Sequence, residues 1–122
     1  MRLGLILFLV LLLSGCDKSD NAGGGGGVVI TIPLPPSNLN ATATSSTNVN
    51  LTWTDNANNE DGFKIERKMF SNSYVQIATL SPNATSYSDA SVVGATTYTY
   101  RVQSFNSAGY SSFSSEFIVT TP

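Results

Sequence analysis

The heptapeptide Asn48-Val49-Asn50-Leu51-Thr52-Trp53-Thr54 alternates polar and apolar residues without a fault. Side chains of an extended strand point alternately to opposite faces, whereas a helix would scatter Val49, Leu51 and Trp53 around its circumference. The stretch is therefore a half-buried strand, with those three side chains pointing inward. Phe63-Lys64-Ile65-Glu66 repeats the period, as does Tyr98-Thr99-Tyr100-Arg101-Val102-Gln103, and near the end Phe117 and Val119 flank an outward Ile118. Turn residues separate these runs: Asp61-Gly62, Ser81-Pro82-Asn83, Gly94-Ala95 and Ala108-Gly109. No stretch after residue 36 carries a helical stripe. Roughly six or seven strands in about 85 residues predict an all-β, antiparallel β-sandwich. A body of this size buries roughly 60–65% of its unfolded surface, enough for a modest core without disulfides.

The chain before this domain is of another kind. Met1-Arg2 gives a short positive start, and Leu3 to Leu13 is apolar apart from Gly4. About eleven helical residues span about 16 Å, against a hydrocarbon core of about 30 Å. The run is too short to cross a membrane stably and reads as a signal peptide over residues 1–15. Ser14-Gly15 supply the small residues of a cleavage site, and Cys16 is the only cysteine of the chain. Leu13-Ser14-Gly15-Cys16 resembles the lipobox of bacterial lipoproteins. The resemblance implies cleavage between Gly15 and Cys16, a diacylglyceryl thioether on the Cys16 sulfur and acylation of its amine. These covalent acyl chains are the only cofactor-like group expected. Each buried CH₂ contributes about 0.8 kcal/mol, so two or three chains on one residue anchor a protein durably where one does not. Asp17 resembles the inner-membrane retention signal of enteric lipoproteins, a weak tilt that leaves inner and outer membrane both open.

Residues 16–35 read as a linker. Asp17 to Asn21 is polar, and Gly23 to Gly27 is five consecutive glycines. Such a run holds neither helix nor strand against its chain entropy, and about 20 residues of coil have an r.m.s. reach of about 25 Å. Pro33, Pro35 and Pro36 stiffen its last part. Val28-Val29-Ile30-Thr31-Ile32 is β-branched throughout. It fits an extra edge strand, a segment that pairs with a partner chain, or a partly ordered lead-in, and the last is the expected form.

The domain, residues 36–122, resembles a fibronectin type III domain, an immunoglobulin-like sandwich. The likeness rests on Pro36-Ser37-Asn38-Leu39-Asn40-Ala41, Leu51-Thr52-Trp53, Glu60 to Arg67, Thr85-Ser86-Tyr87-Ser88-Asp89, and Tyr98 to Val102 followed by Asn106 and Ala108-Gly109-Tyr110-Ser111. It implies that Tyr98 is a tyrosine-corner residue whose hydroxyl bonds backbone just upstream, and that Val92 is an apolar plug. Gly94-Ala95 stands where the family often has Pro-Gly, and Ser104 where it often has alanine.

Catalysis finds little to work with. There is no histidine, so a serine nucleophile lacks its usual base, and a lone cysteine makes neither an internal disulfide nor a zinc cluster. A formal net charge of −2 offers no basic field for nucleic acid. Asp55, Glu60 and Asp61 lie on one polar loop with no cleft implied, which argues against a glycosidase pair. That loop, Asp55 to Gly62, is the most oxygen-rich in the chain. Asp55, Asn59, Glu60 and Asp61 are the candidate ligands for a calcium ion. The same residue types are ordinary turn formers, and the favoured reading is a structural loop in which Glu60 ties down the loop backbone. In the loop Phe105 to Ser112, Phe105, Asn106 and Tyr110 are the candidate partner-contact residues, an exposed tyrosine being suited to stacking on a sugar or side chain. Lys64, Glu66, Lys68, Thr99, Arg101, Gln103 and Ile118 form an outward set of mixed charge, with Glu66 and Arg101 placed to pair across neighbouring strands. The expected protein is a monomeric, non-enzymatic lipoprotein of the bacterial cell membrane. It would present its module to an envelope protein or polysaccharide or, alternatively, serve as a purely structural subunit of an envelope assembly.

Overall fold

A computed structural model describes residues 29–122; Gly15, Cys16 and the glycine run lie outside the described residues. Eight strands follow in order: β1 (Ser37–Ser45), β2 (Asn48–Thr54), β3 (Gly62–Met69), β4 (Val75–Leu80), β5 (Ser86–Asp89), β6 (Thr97–Asn106), β7 (Gly109–Tyr110) and β8 (Phe117–Thr120). All pairings are antiparallel. One sheet has the order β1-β2-β5; the other runs β4-β3-β6, with β7 and β8 both pairing β6. No helix occurs among the described residues. Residues 37–120 thus form the two-sheet, all-β sandwich expected from the alternation.

The period-two runs place the core. Val49, Leu51 and Trp53 of β2 are buried while Asn50, Thr52 and Thr54 are exposed. Leu39 and Ala41 join them from β1, and Phe63, Ile65, Tyr98, Tyr100 and Val102 face them from the second sheet. Ile118 is exposed between half-buried Phe117 and Val119. Thr99 departs from the outward set: it is buried, although its neighbours Lys68 and Ile118 are not.

Asn38 has φ of 56°, and there the β1–β2 register slips between Ser37 and Asn40. Asparagine tolerates this left-handed conformation, which bends the start of β1. Residues 29–36 form no strand, so the edge-strand reading of Val28 to Ile32 is not realised in its described part. The Thr31 carbonyl is taken by asparagine side chains instead of a strand, and Pro33, lacking an N–H donor, cannot extend a ladder past Ile32.

Between β7 and β8 two serines substitute for strand pairing. Ser111 donates its N–H to the Ser104 carbonyl and accepts the Ser104 N–H on its hydroxyl, at 2.9 Å each. Ser114 treats Val102 the same way, at 2.7 and 3.1 Å. The hydroxyls satisfy buried β6 amides that an irregular segment would otherwise leave unpaired.

Val92 is buried, and the Val93 N–H donates to the Tyr98 hydroxyl at 2.9 Å, the corner implied by the family resemblance. Tyr98→Phe is expected to lower the unfolding free energy by about 1–3 kcal/mol. Urea denaturation should report this as a shifted midpoint with an unchanged slope.

Candidate functional site

Antiparallel pairing gathers one set of loops at the end where β1 begins: the 55–61 loop, the 81–85 turn, the 106–109 turn and the lead-in 31–36. At the opposite end lie the Ser46–Thr47 turn, the β3–β4 turn and the C-terminus, where the Ala95 N–H donates to the Pro122 carbonyl at 3.1 Å. Both sequence-predicted loops therefore fall at the lead-in pole.

There they act on the lead-in backbone. The Thr31 carbonyl accepts from Asn59 Nδ2 at 2.9 Å and from Asn106 Nδ2 at 2.8 Å. Asn106 also donates to the Asn59 carbonyl at 3.1 Å, joining the two loops. Asn56 Nδ2 holds the Pro35 carbonyl and the Ser37 hydroxyl, both at 2.9 Å, and the Ser104 hydroxyl donates to the Leu34 carbonyl at 2.7 Å. Three asparagines and a serine thus clamp an irregular, proline-interrupted segment whose carbonyls no strand can satisfy. Ser104, noted in the sequence only as a departure from alanine, is buried and supplies one of these bonds.

The calcium candidates have separate tasks. Asp55 Oδ1 accepts the Ala57 N–H at 3.0 Å in a local turn. Burial and then the nearby charge of Glu60 raise the Asp55 carboxyl above its ordinary value, against the opposing Ala57 N–H. Asn59 is spent on Thr31. Glu60 is buried, and its Oε2 accepts the Asn83 N–H at 2.9 Å. Glu60 thus ties its loop to the 81–85 turn rather than to the loop's own backbone, and Asn83 has φ of 66°, the left-handed turn conformation asparagine accepts. Asp61 presents its N–H to the Phe105 carbonyl at 2.7 Å. Among the described residues no three acidic, histidine or cysteine side chains converge.

The contact candidates divide as well. Asn106 is a clamp. Phe105 and Tyr110 pair with ring centroids 6.2 Å apart, and Tyr110 is 57% exposed. Lys64 Nζ stands 4.8 Å from the Phe105 centroid and 6.0 Å from that of Tyr110. The site has an apolar aromatic surface with a cation over its rings, suited to stacking or interfacial contact.

On the outer face of the larger sheet, Glu66 and Arg101 stand opposite in register and pair as expected, with Arg101 Nε and Nη2 at 2.9 and 2.6 Å from Glu66 Oε1. Two aromatic neighbours of Arg101 were not legible in the sequence. The guanidinium lies between the Tyr74 and Phe113 rings, 3.8 and 3.7 Å from their centroids. Both rings come from segments without strand periodicity, so no alternation signal marked them. With both its faces covered, Arg101 is a packing element.

The asparagine clamp makes a local prediction. Asn106→Ala removes the side-chain bonds to the Thr31 and Asn59 carbonyls, each contributing about 0.5–1.5 kcal/mol. Thermolysin is expected to cut faster within residues 29–34, while the midpoint of global unfolding moves far less.

Two packed antiparallel sheets, a tyrosine corner and a core tryptophan on β2 define an immunoglobulin-like sandwich. The family model for the Fibronectin type III domain matches residues 34–120, and the chain belongs to that family. Modules of this family are typically non-catalytic binding or structural domains. A Fn3-like protein from Clostridium thermocellum is similar in structure at 30% identity, covering 75% of this chain and 96% of that one, with a TM-score of 0.64. The structures of titin kinase with its flanking domains and of chicken CNTN1 FN1–FN3 domains share the fold, at 24% and 21% identity and TM-scores of 0.66 and 0.67. They cover 75% and 74% of this chain, which spans only 18% and 32% of theirs. No curated protein matches the sequence.

Proposed function

We propose that the chain is a bacterial lipoprotein in which acylated Cys16 holds one non-catalytic fibronectin type III module at a membrane, where it contacts envelope components through its surface. The leader, the Leu13-Ser14-Gly15-Cys16 box and the glycine run support the anchor. The observation that carries the display role is the double clamp on the Thr31 carbonyl by Asn59 and Asn106. The clamp makes the lead-in from Thr31 onward part of the folded body, so the body begins a fixed, short length of chain after Cys16. The Phe105–Tyr110 pair at that pole is the proposed contact.

Membrane fractionation of cells producing the intact chain or Cys16→Ser tests this reading. The intact protein is expected in the membrane pellet and resistant to salt extraction, and the serine variant outside it or as uncleaved precursor. Equal distribution of the two would contradict the anchor. Cross-linking in native membranes then identifies the envelope protein or polysaccharide that meets the sandwich.

A further inference from the structure

We propose that the lead-in pole of the sandwich rests on the bilayer surface, with Ile32, Leu34 and Tyr110 entering the interfacial layer. The proposal builds on the lipid anchor at Cys16. It names the partner of the Tyr110 loop as the lipid surface, leaving the rest of the sandwich surface for other envelope components.

Three observations meet at this pole. The first is apolar exposure in one place. Ile32 is 54% and Leu34 61% exposed, on alternate positions of the lead-in whose intervening Pro33 is buried. The Ile32 side chain lies against Gly109: a Cβ there would sit 3.6 Å from Ile32 Cδ1, so Ile32 adjoins exposed Tyr110. The clamp holds these side chains outward, since the backbone carbonyls of Thr31 and Leu34 are both taken by the domain.

The second is chemical type. A tyrosine has an apolar ring and a polar hydroxyl, the combination that settles at the boundary of headgroups and acyl chains. Lys64 makes no ion pair among the described residues, and its amine lies over the aromatic pair. A lysine stem can lie along apolar surface with its amine at the level of lipid phosphates. Asp61 is exposed at the same pole and Asp55 half-buried, and both oppose attraction to anionic lipid. The contact is therefore apolar and aromatic, with little dependence on lipid charge.

The third is the length of chain to the anchor. Fifteen residues lead from Cys16 to Thr31, and as a glycine-rich coil they would have an r.m.s. reach of about 20 Å. The ten residues of β6 alone extend about 33 Å. On such a tether the pole from which the lead-in departs would lie nearer the bilayer on average than the opposite pole. Tethering at this range gives an effective concentration in the millimolar range, so a contact too weak to recruit a free domain suffices to orient a tethered one.

The opposite pole supplies its own control. Phe70, 72% exposed with φ of 50°, and Val75, 62% exposed, make the β3–β4 turn at least as apolar. If exposure alone decided the contact, that turn would be the one to meet lipid.

The test uses the mature lipidated chain reconstituted into vesicles of phosphatidylethanolamine and phosphatidylglycerol containing brominated acyl chains. A fluorophore is attached at Ala108→Cys, beside Tyr110, or at Ser71→Cys, beside Phe70. The expected result is quenching severalfold stronger at 108 than at 71, little changed in phosphatidylcholine vesicles. The difference should be lost on combining Ile32→Asn with Tyr110→Ser, with the far-ultraviolet spectrum unaltered. Equal quenching at both positions, or stronger quenching at 71, in protein that sediments with the vesicles overturns the proposal while the anchor stands. Failure to sediment, with no acyl mass on Cys16, overturns the anchor and the proposal together. Protection of the 108 label in native envelopes but not in protein-free vesicles assigns the loop to a protein partner and also overturns it.

Discussion

Asp89→Ala is expected to lower the unfolding free energy by about 3–5 kcal/mol, the range found when one partner of a buried ion pair is removed. Asp89 ends β5 in the smaller sheet, and its side chain is 1% exposed. Its Oδ2 accepts from Arg67 Nη1 on β3 and from the Tyr100 hydroxyl on β6, each at 2.7 Å. Its Oδ1 accepts the Ser91 N–H and hydroxyl at 3.0 and 2.7 Å. One carboxylate therefore joins both sheets and fixes the start of the loop that carries Val92 to the tyrosine corner. Removing it strands the Tyr100 hydroxyl in the core and leaves Arg67 without its counter-charge. For a domain of this size each kcal/mol moves Tm by about 4–8 °C, so thermal unfolding should fall by well over 10 °C.

The same residue gives the pH dependence a sign. Burial alone would push the Asp89 carboxyl up, but hydrogen bonds from Ser91, Tyr100 and Arg67 together hold it below its ordinary value. A carboxyl lowered in the folded state stabilises fully above its unfolded pKa of about 4 and loses that contribution as pH falls through the lower folded value. Denaturation curves of the intact protein should shift to lower urea between neutral pH and about pH 3. Asp89→Asn, already destabilised at neutral pH, should show less of that acid-dependent loss.

Trp53→Ala is the second large effect, about 3–5 kcal/mol. Trp53 is 5% exposed and packs at a tilt on Phe63 across the sheets, with ring centroids 5.7 Å apart. Alanine leaves a cavity at the centre of the core that β2 and β3, each paired on both sides, cannot close. Trp53→Phe separates volume from polarity. The Trp53 Nε1 is buried and finds no partner among the described residues. An orphaned buried donor costs about 1–3 kcal/mol, so its removal offsets part of the lost packing. Phenylalanine is therefore expected to cost far less than alanine, as read by urea midpoints. Equal losses would mean that the indole nitrogen is satisfied in solution.

How much of this was readable beforehand depended on distance along the chain. Alternation in β2, β3 and β6 reports a residue's face directly, because burial of one face imposes period two, and the core followed from it. Glu66 and Arg101 were legible because adjacent strands bring like-facing residues opposite each other. The Arg67–Asp89–Tyr100 network was not, since nothing local in β5 distinguishes a buried aspartate from a turn former. The clamp was missed for a related reason: Asn56, Asn59 and Asn106 are common loop residues, and their shared target, the lead-in backbone, becomes visible only when the 55–61 and 106–109 turns are brought to one pole. The same gathering changes the meaning of Tyr110. In the chain it stands remote from the lead-in, and in the fold it sits beside it.

The proposed membrane role depends on a covalent lipid at Cys16, and the mass of the mature N-terminus tests that most directly. Intact and peptide mass spectrometry of protein extracted from membranes should find Cys16 as the first residue, carrying a diacylglyceryl thioether with or without an amine-linked acyl chain. A mature chain that starts elsewhere, or that begins at Cys16 with an unmodified thiol, would contradict the account.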